Sequence, residues 1–362
     1  MTENLDKQFM QRAIALALRG KGYVSPNPLV GAVIVRDEEI IGSGYHARYG
    51  DDHAEVVALD NASESVRGAT LYCNLEPCCH TDKQTPPCAQ RLIAEGISRV
   101  VIASLDPNPK VDGRGVEMLK AAGIEVETGL MHDYNLVINQ NYFHFVKTGK
   151  PRVVLKIAQS VDGRISRSMD GQTWLTGRES VRLAHEWRSE FDAVLVGAGT
   201  INSDDPLLNV REFDGRDPGK VILSGNLNLN SSCKIFANAA DSKTDVLVLT
   251  SDKTDAAKRE SLSAKNIKVI PVQETQPGRL ACTDILDTLA KANINSVLVE
   301  GGSQIFSHFV QEDAFDEIRL FISPIILGKG IAGIDAPDIT QKRLHLVSEE
   351  VIGNDILLIY HP

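Results

Sequence analysis

The sequence predicts an α/β protein built from two successive domains, and three observations carry that expectation. At 362 residues the chain is longer than one hydrophobic core comfortably serves. Helix-period and strand-period hydrophobic segments alternate through both halves. The run Thr148-Gly149-Lys150-Pro151 interrupts that alternation, so the expected domains are 1–147 and 148–362.

In the first half, Phe9, Ala13, Ile14, Ala17 and Leu18 fall on one helical face, and Gly20 and Gly22 stop the helix. Leu29 to Val35 and Ile40 to Gly44 read as strands joined by the turn Arg36-Asp37-Glu38-Glu39. His53 to Asp60 reads as a helix, and Ala69 to Asn74 as a strand ending just before Pro77-Cys78. Cys88 to Glu95 is a helix stopped by Gly96, with Val100 to Ala103 as the next strand. In the second half Val153 to Ala158 reads as a strand, Arg178 to Arg188 as a helix and Ala193 to Gly197 as a strand. Val221 to Leu223, Val246 to Leu249 and Ile267 to Ile270 are further short strands. Ile285 to Ala292 is a helix leading into the strand Ser296 to Glu300.

Two glycine patterns lie in the second half. Gly328-Lys329-Gly330-Ile331-Ala332-Gly333 matches G-x-G-x-x-G, but Asp335 and Pro337 follow where that fingerprint requires a helix, so it reads as a loop. Glu300-Gly301-Gly302-Ser303 follows an apolar strand and opens Gln304-Ile305-Phe306, a helix start whose N–H groups suit a cofactor phosphate. A plain tight turn has the same pattern.

Composition narrows the class. A hydrophobic fraction of 43% and a charged fraction of 24% are those of an ordinary globular protein. A net charge of −10 argues against a general nucleic-acid or membrane surface, while leaving room for a local basic phosphate pocket. The start, MTENLDKQFM, is too polar for a signal peptide. Of six cysteines, four crowd between Cys73 and Cys88, which suits reduced thiols and a metal in a cytoplasmic protein better than a disulfide scaffold.

The chemistry-bearing residues begin with His53, Cys78 and Cys88, one imidazole and two thiols, His53 and Cys88 at helix starts and Cys78 just after a strand. A zinc ion that does chemistry wants three protein ligands and one open position. It lowers the pKa of water there to about 7. Glu55, two residues after its histidine, is placed to shuttle a proton. The pattern H-x-E followed by P-C and a second cysteine is that of zinc deaminases, although Cys88 comes ten residues after Cys78 rather than three.

Over nearly its whole length the chain resembles the bifunctional deaminase–reductases of bacterial riboflavin biosynthesis. The matching stretches are Ser25-Pro26-Asn27-Pro28-Leu29-Val30-Gly31, Gly50-Asp51-Asp52-His53-Ala54-Glu55-Val56, Leu75-Glu76-Pro77-Cys78, Thr85-Pro86-Pro87-Cys88 and Asp106-Pro107-Asn108-Pro109. Later come Lys156, Ser160-Val161-Asp162-Gly163-Arg164, Ser203-Asp204-Asp205-Pro206 and Val299-Glu300-Gly301-Gly302. The resemblance implies a cytidine-deaminase-like first domain holding one zinc through His53, Cys78 and Cys88, with Glu55 catalytic. Asn27, His46, His80, Asp106 and Asn108 match positions around a phosphoribosylamino-pyrimidine. The second domain would be dihydrofolate-reductase-like, using NADPH to reduce the ribosyl group of the deaminated product to a ribityl chain.

There Ala158, Trp174, Thr200, Asp204, Gly302, Ser303 and Gln304 match cofactor positions. Gln172, Arg188, Leu208, Arg211 and Glu300 match substrate positions, the two arginines suiting a phosphate monoester. The chain departs from the family between its cysteines, where His80-Thr81-Asp82-Lys83-Gln84-Thr85 is one residue longer and lacks a glycine. Which residue of that loop, Lys83 or another, reaches the substrate stays open.

The expected partners are small phosphorylated pyrimidines; a homo-oligomer is compatible with the sequence, which does not set the number of chains. Two other readings fit part of the pattern. One is a nucleoside or tRNA-base deaminase fused to an unrelated domain. The other is a non-catalytic protein whose zinc is structural, with Cys79 as the residue that could close the metal.

Overall fold

The computed structural model describes residues 3–80, 87–168, 173–239, 244–263 and 267–362. The chain divides into two compact units, Met1–Gly149 and Lys150–Pro362. The division falls two residues beyond the expected one, because the last helix of the first unit runs to Thr148 and is capped by Gly149 at φ +70°.

The first unit runs α1 (Glu3–Ala17), a 3₁₀ turn (Leu18–Gly20), β1 (Gly31–Arg36), β2 (Glu39–Tyr45), α2 (Ala54–Asp60), β3 (Thr70–Leu75), α3 (Cys88–Glu95) and β4 (Arg99–Ser104). It closes with α4 (Arg114–Ala121), β5 (Glu125–Thr128), α5 (His132–Ile138) and α6 (Gln140–Thr148). Its sheet has the order β2-β1-β3-β4-β5, antiparallel up to β3 and parallel beyond. The side-chain period of two divides β1 between two cores. Val33 and Val35 pack under α1 with Met10, Ala13 and Ile14, while Ala32 and Ile34 pack with Ala54 and Ala58 of α2. A Cβ at Gly44 would come within 2.5 Å of Ala58 N, so α2 lies directly on β2.

The second unit runs β6 (Arg152–Ser160), β7 (Arg164–Ser166), α7 (Arg178–Glu190), β8 (Ala193–Gly197), α8 (Ala198–Asp204), β9 (Gly219–Leu223), α9 (Lys234–Ala237) and β10 (Val246–Ser251). Then come α10 (Ala256–Ser263), β11 (Lys268–Val272), β12 (Glu274–Gln276), β13 (Arg279–Leu280), α11 (Cys282–Lys291), β14 (Ser296–Gly301) and α12 (Ser303–Gln311). The last strands are β15 (Glu317–Ser323), β16 (Ile331–Ala332), β17 (His345–Ile352) and β18 (Asp355–His361). The main sheet has the order β11-β10-β9-β8-β14-β6-β15-β18-β17. Its strands are parallel from β11 to β15, and β18 and β17 add an antiparallel edge. Every residue of β8 is buried, as a parallel strand covered on both faces requires.

Gly328 to Gly333 forms a loop and the short β16, which pairs with β7, and no helix follows it. Apart from that loop, the individual strands beyond Phe306 were not anticipated from the sequence. The hairpin β17–β18 did carry a signal, in the turn Gly353-Asn354 between two runs rich in β-branched residues. Among the described residues no helix is long and apolar enough to cross a membrane.

Candidate metal centre and cofactor cavity

His53 is the N-cap of α2, and Cys88 opens α3. Cys78 follows the end of β3, buried like Cys88. His53 Nδ1 lies 3.5 Å from Cys78 Sγ and 3.4 Å from Cys88 Sγ. A zinc ion bound tetrahedrally at ordinary N and S distances separates those ligand atoms by about 3.5 Å. Both nitrogen–sulfur separations of the donor set therefore fit zinc. The backbone N–H of Cys88 also points at Cys78 Sγ, 3.4 Å away, which favours a thiolate there.

Among the described residues the metal-seeking group comprises these three side chains. Cys79 does not close it, since its thiol donates to Lys110 O at 3.7 Å. A three-ligand site suits chemistry rather than a purely structural ion. Replacing one ligand should expose the assignment. Cys88→Ser should bring the purified protein well below about one zinc per chain by elemental analysis. Undiminished zinc would remove Cys88 from the site.

Glu55 sits on the first turn of α2, 3% exposed. Nearby, Asn27 donates its amide N–H to His46 Nε2 at 3.0 Å, and His46 Nδ1 lies 3.0 Å from Asp52 O. A carbonyl only accepts, so Nδ1 carries the proton and the ring is neutral. Burial likewise pushes the His46 pKa below its usual value. The ring stands edge-on to His53, their centroids 5.7 Å apart. His80 is half-buried two residues after Cys78. Lys83 and the other residues of 81–86 lie outside the described residues.

A carboxylate assigned no role from the sequence braces the metal centre. Glu76 is buried and accepts N–H bonds from Asp106, Gly113, Gly115 and Val116 at 2.9–3.2 Å. It thereby ties the strand end that carries Cys78 to the turn that carries Asp106 and Asn108. At Gly115 a Cβ would meet Pro77 O at 2.2 Å, so only glycine lets α4 approach that strand end. Asp106 is itself buried, and desolvation raises its carboxyl pKa. Asn108 is half-buried and donates its N–H to Asp106 Oδ1 at 2.9 Å.

In the second unit a cavity of about 1060 Å³ opens at the carboxyl ends of β6, β8, β9 and β14. Parallel sheets place ligands there. Ala158, Trp174, Thr200, Asp204, Gly302, Ser303 and Gln304 all line it. So do Arg188, Leu208, Arg211 and Glu300, whereas Gln172 lies outside the described residues. Gly302 caps α12, and a Cβ there would sit 3.4 Å from Thr200 Oγ1. The bare backbone turn beside a helix N-terminus is a fitting cradle for a cofactor phosphate.

The electrostatics of this cavity centre on Glu300. Arg188 grips it bidentately, Nε to Oε1 at 2.7 Å and Nη2 to Oε2 at 2.6 Å, and gives Nη1 to Asn209 O at 3.1 Å. Three of the five N–H donors of that guanidinium are thus engaged by the protein. The attraction of Arg188 and Lys156 holds the Glu300 carboxyl low against its burial. Burial in turn lowers the Lys156 ammonium, a cavity-lining group the sequence matched without assigning a role. Arg211 is exposed at the rim, its guanidinium bonded to Asn209 Oδ1. Its backbone N–H donates to His185 Nδ1, a buried imidazole that desolvation and the two arginines push down to about 4.

Comparison with known proteins gives each unit a family. Residues 3–104 match the family described as the cytidine and deoxycytidylate deaminase zinc-binding region, and residues 151–358 match the RibD C-terminal domain. The riboflavin biosynthesis protein RibD of Aquifex aeolicus is 38% identical over 365 residues, covering 99% of each chain. That of Escherichia coli is 36% identical over 361 residues, covering 96% of this chain and 98% of its own. Acinetobacter baumannii RibD superposes with a TM-score of 0.89 at 37% identity, covering 99% of both chains. The Thermotoga maritima diaminohydroxyphosphoribosylaminopyrimidine deaminase/5-amino-6-(5-phosphoribosylamino)uracil reductase does so at 0.86 and 34% identity, again over 99% of both.

Proposed function

Because the chain belongs to the RibD family of bifunctional riboflavin-biosynthesis enzymes, a deaminase joined to a reductase, we propose a specific reaction for each of its two sites. The first unit hydrolyses the 2-amino group from 2,5-diamino-6-(5-phosphoribosylamino)pyrimidin-4(3H)-one, releasing ammonia. The second reduces the ribosyl group of the product to ribityl phosphate with NADPH. The three-ligand group beside the buried Glu55 carries the first assignment. The strand-end cavity with its open glycine turn carries the second.

In the first site His53, Cys78 and Cys88 hold zinc, which when bound makes water acidic enough to act as a nucleophile at neutral pH. Glu55 would carry one proton of the attacking water to the ring nitrogen and its second to the amine, which leaves as ammonia while the water oxygen stays on the ring carbon as a carbonyl. Asn27, His80, Asp106 and Asn108 orient the pyrimidine and its phosphoribosyl group. His46, with both ring nitrogens engaged, serves by fixing the Asn27 amide.

In the second site Ala158, Trp174, Thr200, Asp204 and the turn Gly302-Ser303-Gln304 bind the cofactor, which supplies the hydride. Leu208 and Glu300 position the sugar against it, with Gln172 as a further expected contact. Arg211, exposed and singly bonded, is the principal phosphate ligand. Arg188 holds Glu300 and offers the phosphate its two remaining donors. The protein works in the cytoplasm on small phosphorylated pyrimidines and not on nucleic acid, in keeping with its charge of −10.

Incubating the full chain with the diamino-pyrimidinone tests both halves at once. Ammonia should appear without NADPH, and NADPH should be consumed only when the deaminated product is present. Release of ammonia from cytidine or deoxycytidylate instead would replace the substrate assignment.

A further inference from the structure

We propose that Tyr142 is a positioning residue of the deaminase site, holding the carboxylate of Asp106 in place for the substrate. The proposal rests on the deaminase reading above and assigns a role to a side chain outside its set of substrate-facing residues. The Tyr142 hydroxyl donates to Asp106 Oδ1 at 2.9 Å. Burial and the neighbouring carboxylate push its ionisation well above the ordinary phenol range, so it stays a donor at any working pH. Asp106 is 7% exposed, so its desolvated oxygen depends on the two donors it has among the described residues, Tyr142 OH and Asn108 N.

The turn so anchored is continuous with the metal centre. Val111 donates its N–H to Asn108 O at 2.7 Å, and its side chain packs with Cys78 and Cys88. A displacement of Asp106 is therefore felt where the substrate ring must lie. Tyr142 also belongs to a series. Asn135, Asn139 and Tyr142 stand at helical i, i+4, i+7 spacing through α5 and α6, on one face.

Asn139 clamps Leu29 at two points, accepting its N–H at 2.7 Å and donating to its carbonyl at 3.0 Å. Asn135 Oδ1 receives Asn139 Nδ2 at 3.0 Å and Asn74 Nδ2 at 2.7 Å, and Asn74 in turn bonds Leu29 O and Gly31 N. The two asparagines thus fix the loop that carries Asn27, and one turn on Tyr142 fixes the loop that carries Asp106. One polar helix face anchors both loops. The asparagines are fully enclosed and also serve the core, whereas Tyr142 can lose a single hydroxyl without leaving a hole.

The test compares wild type, Tyr142→Phe, Asp106→Ala and the double variant as full chains, by ammonia release from the diamino-pyrimidinone. Tyr142→Phe should raise KM for deamination about tenfold, the effect of one hydrogen bond to a charged group, with kcat changed much less. Its zinc content and its reduction of supplied deaminated product should match wild type. On the Asp106→Ala background the same change should leave kcat/KM nearly unaltered, because the group it positions is gone. A wild-type KM in Tyr142→Phe, or the same tenfold loss on the Asp106→Ala background, overturns the proposal. So does a loss confined to kcat or accompanied by loss of zinc, which would make Tyr142 a scaffold residue. A wild-type chain that releases no ammonia overturns the functional reading, and this proposal with it.

Discussion

Glu55→Gln should keep its zinc and lose about 10²–10⁴-fold in deamination, the usual contribution of a positioned proton shuttle. The substitution is nearly isosteric. It leaves His53, Cys78 and Cys88 in place, with their ligand atoms within 4.8 Å of one another. What disappears is a group that can accept a proton on one side of the reaction and return it on the other. Glu55 is 3% exposed, so bulk water cannot readily substitute for it. The reductase cavity is lined entirely by residues of the second unit. The same variant should therefore reduce supplied deaminated product at the wild-type rate. Elemental analysis, ammonia release and NADPH absorbance on one preparation decide the matter. Parallel loss of both activities would contradict the assignment of separate sites.

The second large effect is on stability. Glu317→Ala should destabilise the second unit by about 3–5 kcal/mol, because it removes the buried carboxylate that two buried guanidiniums share. Glu317 Oε2 receives Arg152 Nη2 at 2.6 Å, and Oε1 receives Arg319 Nε at 2.5 Å. Arg152 is 5% exposed and Arg319 9%, the latter stacked over the Trp187 ring at 4.5 Å from its centroid. The two arginines hold the Glu317 carboxyl down at about 2, against its burial. A carboxyl whose folded pKa lies below its unfolded value stabilises fully above the unfolded value and loses that contribution as pH falls toward the folded one. The gap between wild type and variant should thus be complete at neutral pH and shrink from about pH 4.5 down to 2. Both tryptophans, Trp174 and Trp187, lie in the second unit, so their fluorescence during urea unfolding reports on it directly. Equal midpoints for the two proteins at pH 7 would refute the prediction.

The sequence by itself determined what depends on neighbours along the chain. The period of two that splits β1 between the cores of Val33 and Ile34 is a local property, and so is the burial of α1 through Phe9, Ala13 and Ile14. The metal ligands and Glu55 were legible for the same reason, since His53 and Glu55 share one short run and each cysteine follows prolines or ends a strand. The helix following Gly302 was legible as a start, although a plain turn would have had the same letters.

Only the tertiary structure decided which polar groups are buried and what they meet. Nothing near Glu76 in sequence shows that it will gather four N–H groups from residues 30 to 40 positions away. The amides of Asn135 and Asn139, four apart on a helix, were a readable hint, but Leu29, which Asn139 clamps, lies over 100 residues upstream of it. Arg188 looked like a free phosphate ligand until Glu300, 112 positions on, was seen to occupy it. Cys79 could be excluded as a fourth ligand only once its thiol was found on Lys110 O. The physical reason is common to all of these. Hydrophobic period follows from backbone geometry within a few residues, whereas the cost of burying a charge or amide is set by whichever distant segment covers it.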